Sequence, residues 1–158
     1  MLLALLVAAT VRGPADVESL TAAADAVVYA RVTRQSSSWG RGGGQIFTTV
    51  ALRPIETWKG AAEAAISVLV AGGEVGELSQ SVPGEAAFSE GEEVVLFLHR
   101  RAPGLFAVER MALGKFSVAQ GKALRDRRFV SCLGCAAGEA DKLSLDELRA
   151  RVLGSARK

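Results

Sequence analysis

The sequence predicts a mainly β protein, either a small antiparallel barrel or a sandwich, with a short helix before it and a second helix at the C-terminus. Short segments rich in β-branched residues recur along the chain. Glycine and proline turns separate these segments. A closed or partly open barrel is the favoured arrangement, because closure hides strand edges that would otherwise pair with other chains.

Composition excludes several classes of protein. The chain has 158 residues, of which 49% are hydrophobic and 23% charged, with a formal net charge of +2. This is the length and polarity of one folded domain and not of a disordered chain. No apolar run approaches the roughly 20 residues of a membrane-spanning helix. One histidine and two cysteines are too few for most self-contained zinc sites.

The first nine residues are apolar and end in small side chains. The run from Met1 to Ala9 resembles the hydrophobic region of a signal peptide, although no Lys or Arg precedes it. Cleavage after Ala9 would leave Thr10 as the mature N-terminus and residues 10–158 as a single barrel domain with a helical tail. The alternative is an N-terminal core helix or strand. We therefore predict export, to the periplasm, the envelope or the extracellular space.

The first half of the chain predicts one helix and two strands. Asp16 can cap a helix from Val17 to Ala24. A strand begins at Ala26 and continues to Val32, and the segment 36–44 reads as a flexible loop that contains Trp39. A second strand follows from Gln45 to about Trp58. Its alternation places two sets of side chains on opposite faces: Ile46, Thr48, Val50 and Leu52 on one, and Phe47, Thr49, Ala51 and Arg53 on the other. Pro54 predicts a bulge or an edge position.

Further short strands and a final helix are predicted in the second half. The predicted strands span 65–71, 75–82 (a weaker one), 92–101 (buried on both faces), 105–111, 114–119 and 127–132. Ser144 and Glu147 form a capping box for a helix that reaches about Leu153 and stops at Gly154. Leu145, Leu148 and Val152 form its inner stripe.

The order of these elements resembles that of exported bacterial proteins and is similar to the netrin-like and tissue-inhibitor-of-metalloproteinase-like domains. The resemblance covers about residues 16–120 and rests on four segments: Leu20–Val32, Trp58–Gly60, Gly91–Leu98 and Gly114–Val118. It implies a five-stranded OB-type barrel with flanking helices. The metalloproteinase inhibitors chelate zinc through an N-terminal cysteine, whereas no cysteine precedes Cys132 here. That inhibitory chemistry is therefore not assigned to any residue.

Cys132 and Cys135 form the sharpest local motif. A Cys-x-x-Cys pair can be a structural disulfide, a redox dithiol or half of a zinc site. Export favours a local disulfide. The residue after Cys135 is Ala136, so the pattern for covalent haem attachment is absent.

Basic residues are concentrated late in the chain. Eight Lys or Arg residues stand against two acidic ones between positions 100 and 128. If consecutive strands bring them together, they form one basic face that binds an anionic partner. Trp39 is a candidate contact residue in its loop. The predicted contact residues are Trp39, Arg100, Arg101, Arg110, Arg125 and Arg128.

No catalytic residue, metal site or cofactor is predicted. His99, the only histidine, reads as a strand-end imidazole, and the acidic residues near 74–93 read as solvated strand ends. The leading hypothesis is an exported, non-enzymatic binding module for a protein or an anionic cell-surface polymer, with nucleic acid disfavoured. The alternative is a thiol–disulfide or metal-binding protein that depends on Cys132 and Cys135. The oligomeric state is not predicted.

Overall fold

The computed structural model describes residues 8–135 and 141–158. The strands in these ranges are β1 (Ala9–Arg12), β2 (Ala26–Trp39), β3 (Ile46–Lys59), β4 (Ile66–Ala71), β5 (Gly73–Val75), β6 (Leu78–Gln80), β7 (Glu93–Ala102), β8 (Leu105–Val108), β9 (Lys115–Ala119), β10 (Lys122–Leu124), β11 (Val130–Leu133) and β12 (Lys142–Ser144). The α-helices are α1 (Val17–Ala23) and α2 (Leu145–Ala156), and a 3₁₀ turn spans Met111–Gly114.

Five strands close into a barrel, which confirms the predicted fold class. Around the barrel the order is β7, β2, β3, β4, β8 and back to β7. All neighbours are antiparallel except β4 and β8, which run parallel. Apolar side chains from all five strands fill the interior, and Val28, Val50, Val68, Leu96 and Phe106 are among them.

The alternation predicted for β3 is correct. The even-numbered residues are buried and face inward: Ile46, Thr48, Val50 and Leu52. The odd-numbered residues face outward: Phe47, Thr49, Ala51 and Arg53. The register against β2 slips beside Pro54, so that Ile55 has no partner between Glu56 and Pro54. This is the bulge that proline was expected to cause, because proline cannot donate to the ladder.

Both helices pack on the outer side of the barrel. Leu20 of α1 and Leu148 and Val152 of α2 are fully buried against Phe97 and Phe116. Asp16 caps α1 by accepting from the Ser19 amide at 2.8 Å, as predicted. Ser144 likewise accepts from the Glu147 amide at 3.0 Å. The predicted stop at Gly154 is wrong, since α2 continues to Ala156. A single exposed glycine costs a helix only about 1 kcal/mol.

Trp58, Lys59 and Gly60 have structural roles that connect the barrel to α1. The Trp58 ring is buried beside Tyr29, with the ring centres 6.2 Å apart. The Lys59 ammonium donates to the Thr21 carbonyl at 2.6 Å and to the Ala24 carbonyl at 2.7 Å. Gly60 has a φ of +88°, and a Cβ there would lie 2.7 Å from the Asp25 carbonyl oxygen.

We expect Lys59→Met to lower the free energy of unfolding by about 1–2 kcal/mol. The change leaves carbonyl groups at the end of α1 without their donor and removes a cation from the negative end of the helix. Urea denaturation measures the loss, with Lys122→Met at an exposed position as the control. Equal stability of the two variants would show that Lys59 does not hold this helix end.

A small sheet holds the disulfide. Strands β1 and β11 pair in parallel, with Ala9 opposite Val130 and Val11 opposite Cys132. Cys132 and Cys135 are joined, so the predicted disulfide is present. Both sulfurs lie at a small apolar cluster of Ala15, Leu113 and Val130. Most of the predicted signal peptide, residues 1–7, lies outside the described residues, and export stays a prediction.

The remaining differences from the sequence-based elements have simple causes. Ser36–Trp39 was expected to be loop but extends β2, because the apolar strand β3 supplies its pairing partner. The single weak strand expected at 75–82 is instead a hairpin of β5 and β6. Arg127 precedes β11 and does not belong to it. None of the described helices has the length and apolar character needed to cross a bilayer.

Candidate anion-binding face

The structure does not bring the predicted contact residues together. Arg100 and Arg101 lie near the end of β7, at the opposite end of β2 from Trp39. The guanidinium of Arg100 sits over the Phe106 ring at 4.5 Å and pairs with Glu63 at 2.8 Å. Arg101 is exposed. Trp39 is 42% exposed and pairs with Ile46, which places it on the inward-facing side of the β2–β3 hairpin.

Arg110 and Arg125 are held by the protein itself. Arg110 donates to the Arg12 carbonyl at 2.7 Å and has a left-handed backbone with a φ of 54°. Arg125 has only 1% of its side chain exposed. Its guanidinium donates to the Ala15 carbonyl at 2.7 Å and to Asp141 at 2.9 Å. Arg125 is therefore a buried structural cation and cannot reach a partner, contrary to expectation.

Arg128 is exposed and lies at a cleft on the surface. It forms several hydrogen bonds to Asp126, and these hold the pKa of that carboxyl below its ordinary value. Both residues line an open cleft of about 300 Å³, together with the rings of Phe88 and Phe129. Lys115 in this cleft pairs with Glu92 at 2.9 Å. Its main charges thus neutralise one another within the cleft.

Three arginines of β2 and β3 form a basic surface that the sequence analysis missed. Arg31 and Arg53 lie directly opposite each other in the ladder, and Arg34 pairs with Ala51, two residues from Arg53. All three side chains are exposed and point away from the barrel interior. We call Arg31, Arg34 and Arg53 the arginine face.

A β-bulge puts Arg34 on this face. The register slips between Val32 and Arg34, leaving Thr33 as the extra residue. The Thr33 hydroxyl donates to the Ala51 carbonyl at 3.0 Å and fixes the bulge. Without the extra residue, strict alternation would turn Arg34 toward the interior. Bulges commonly re-aim a side chain in this way.

The arginine face keeps more positive charge than its own contacts neutralise. Arg31 pairs with Glu93 of the neighbouring strand β7. Within residues 8–135 and 141–158, Arg34 and Arg53 form no ion pair or hydrogen bond through their side chains. Like charges directly opposite each other destabilise a sheet. An arrangement that costs stability and is exposed to solvent is a candidate site for an anionic ligand.

Glu93 anchors one edge of the face. It accepts from the hydroxyl of Tyr29 and from Arg31. These two contacts, the tyrosine hydrogen bond foremost, hold the pKa of Glu93 below its ordinary value. Burial, together with the hydrogen bond to Glu93, raises the pKa of Tyr29 to about 12, so the phenol stays a donor at neutral pH.

Glu93→Gln tests this network through the pH dependence of stability. Because the folded-state pKa of Glu93 is depressed, its contribution is present above its ordinary value of 4.5 and is lost as the pH falls below that value. We expect the stability difference between wild type and Glu93→Gln to be largest near neutral pH and to shrink on acidification. Chemical denaturation at a series of pH values measures it. A difference independent of pH would contradict the assigned contacts.

Small and hydroxylic side chains surround the arginines. The outward residues beside them on β2, β3 and β4 are Ser36, Ser38, Ala51, Thr49, Ser67 and Leu69, in register across the three strands. The hydroxyls of Ser36, Ser38, Thr49 and Ser67 have no hydrogen-bond partner in the part of the chain that the structure describes. The surface beside the arginine face is therefore polar and rich in hydroxyl groups.

His99 and several acidic side chains in the described part of the chain are held by contacts within the protein. Nδ1 of His99 lies 3.3 Å from Glu109, beside an arginine that also approaches this carboxylate. Several acidic residues expected to be solvated have structural partners instead: Glu85 accepts from the Ala71 amide and Glu92 from the Ser89 amide. Among the described residues, no group of three or more His, Cys, Asp or Glu side chains could hold a metal ion.

One sequence signal for the arginine face was visible. The alternation of β3 predicts that Arg53 lies on the face opposite Ile46 and Val50. The highest local concentration of basic residues, however, is in 100–128, and the contact surface was predicted there. Once β2 and β3 are paired, the same alternation places Arg31 on this face as well. Arg34 could not be found this way, since its orientation depends on the bulge at Thr33.

Comparison with models of known protein families finds no match to this chain, and comparison with curated proteins finds none either. The similarity to netrin-like domains therefore stays a prediction.

Proposed function

We propose that this chain is an exported, non-enzymatic binding module that holds an anionic macromolecule, a protein or a cell-surface polymer, on its arginine face. The observation that carries the proposal is the like-charge pair of Arg31 and Arg53 with Arg34 beside it on exposed, adjacent strands. Guanidinium groups present paired donors that match carboxylate, sulfate and phosphate groups.

The surrounding chemistry supports binding over catalysis. Arg125 and Lys115 have only 1% and 12% of their side chains exposed. Both donate to carbonyl oxygens and pair with carboxylates, so their role is structural. The three arginines are exposed on the outside of the barrel, where water is not excluded from a reacting group. Its charges are suited to attraction and orientation of a partner.

The alternative function depends on Cys132 and Cys135. Their disulfide packs at the cluster that joins β1 and β11 to the barrel, which supports a structural role. We expect Cys132→Ala with Cys135→Ala to leave anion binding unchanged while lowering thermal stability. Loss of binding in this variant with the fold intact, or thiol–disulfide exchange activity in the wild type, would favour the alternative.

The proposal is tested by measuring binding of the full chain to anionic probes at about 0.15 M salt, where exposed charges interact only over about 8 Å. The probes are polyglutamate, dextran sulfate and polygalacturonate, with uncharged dextran as reference. We expect Arg34→Gln with Arg53→Gln to weaken binding at least tenfold, about 1.4 kcal/mol. The matched control, Arg100→Gln with Arg101→Gln, should bind like wild type.

Two results would contradict the proposal. One is the absence of binding to every anionic probe. The other is that the control variant loses binding while Arg34→Gln/Arg53→Gln binds fully. That result would place the binding site at the end of β7. The Arg34 and Arg53 changes remove like-charge repulsion, so a circular dichroism melt should show an unchanged or raised melting temperature.

A further inference from the structure

We infer that the partner of the arginine face is an anionic polysaccharide. This inference rests on the proposed function and narrows its ligand class. The relevant observation is the combination of guanidinium and hydroxyl groups on one exposed surface. Polysaccharides that carry sulfate or carboxylate groups present the complementary combination, anions interspersed with sugar hydroxyls.

The register aligns the two kinds of group across three strands. One row consists of Arg34, Ala51 and Ser67, and the next of Ser36, Thr49 and Leu69. Adjacent strands are about 4.8 Å apart, so each row is about 10 Å wide. Successive outward residues repeat about every 6.4–6.8 Å along a strand. An extended sugar chain can thus contact arginines and hydroxyl groups in succession along this surface.

The same rows disfavour a protein partner. Stable protein interfaces have an apolar core, with a few aromatic or arginine anchors seated in pockets. Between the arginines and the end of the hairpin, this face offers mainly alanine, serine and threonine. Leu69, half-buried on β4, is the one large aliphatic side chain in these two rows. The face has charge and hydroxyl groups but lacks an apolar centre.

Single-stranded nucleic acid is disfavoured by the aromatic side chains. Base binding needs rings that are free to stack. The outward aromatic of this part of β3 is Phe47, whose ring packs against the hairpin turn: a Cβ added at Gly40 would lie 2.7 Å from it. Trp39 lies on the other side of the hairpin. Neither ring is placed beside the arginines. Tyr29 does lie near Arg31, but its ring packs against Trp58 and its hydroxyl is held by Glu93, so it is not free to stack on a base.

The experiment compares four probes of matched chain length on the full chain: dextran sulfate, polygalacturonate, polyglutamate and single-stranded oligothymidylate. We expect one or both polysaccharides to bind at least tenfold more tightly than polyglutamate or the oligonucleotide. Dextran sulfate and polygalacturonate separate sulfate from carboxylate recognition. Ser36→Ala with Thr49→Ala should weaken polysaccharide binding several-fold and leave residual polyglutamate binding unchanged, while Ser79→Ala, exposed on β6, should change neither.

Each other outcome overturns the inference in a recognisable way. Equal or tighter binding of polyglutamate would make the partner an acidic protein segment, and the proposed function would stand. Preferred binding of the oligonucleotide would assign the face to nucleic acid. If the Ser36 and Thr49 changes had no effect, charge alone would account for recognition and the polysaccharide class would be rejected. If no anionic probe bound, the proposed function would fail as well.

Discussion

Replacing Arg125 by methionine is expected to lower the free energy of unfolding by about 3 kcal/mol. The side chain is 1% exposed and donates to the carbonyls of Ala15 and Leu113, while its charge pairs with Asp141. Its guanidinium also lies 5.1 Å from the centre of the Phe116 ring. The change leaves buried carbonyl groups without a donor. Because about one-third of the Asp141 side chain is exposed, water can solvate this carboxylate and limits the loss.

Arg128→Met is the matched control, three residues away. The Arg128 side chain is 77% exposed and pairs with Asp126, itself exposed. Its replacement should leave the urea midpoint essentially unchanged, since exposed ion pairs contribute little. Arg125→Lys should recover only part of the loss, because one ammonium cannot reproduce the guanidinium geometry. Equal effects of Arg125→Met and Arg128→Met would contradict the structural role of Arg125.

Replacing Phe106 by alanine is expected to cost about 3–5 kcal/mol. Phe106 is 1% exposed and fills the barrel interior, where β8 closes the barrel between β4 and β7. The ring also lies beneath the guanidinium of Arg100. Since the closing pair of β4 and β8 is only two residues long, the cavity forms at the weakest part of the barrel. Urea denaturation monitored by tryptophan fluorescence measures the loss.

The control is Phe129→Ala. Phe129 is 45% exposed at the rim of the cleft, so its truncation should cost less than about 1 kcal/mol. Phe106→Leu keeps most of the buried volume and should retain the fold. It replaces the alanine variant in the measurement if that variant does not accumulate. A Phe106→Ala variant as stable as Phe129→Ala would contradict the closed barrel.

Most of the fold could be predicted because its signals are local. The alternation from Ile46 to Leu52, the apolar run of Val94 to Leu98 and the caps at Asp16 and Ser144 each depend on neighbouring residues alone. The hydroxyl-rich end of β2 could not be predicted in this way. Its residues Ser36, Ser37 and Ser38 are extended only because they pair with β3. The short strand β12 likewise exists through its pairing with β10.

The candidate site was less predictable because it depends on contacts distant in sequence. Arg125 and Arg128 look alike in the sequence, yet one is buried by groups from Ala15, Leu113 and Asp141. Arg100 is seven residues from Glu93 along β7, about 23 Å at 3.3 Å per residue, and so is remote from the arginine face. A charge count along the chain cannot distinguish these cases. Register and bulges decide which basic residues meet.

The most direct test of the arginine face is an NMR titration of the ¹⁵N-labelled chain with a short dextran sulfate. We expect changes in backbone amide shifts and loss of signal to concentrate on residues 31–38, 47–53 and 67–71. We also expect little change at Arg100, Arg101 and the segment 126–130. Perturbations confined to the end of β7, or to the cleft around Phe129, with β2 and β3 unaffected, would contradict the arginine face as the binding site.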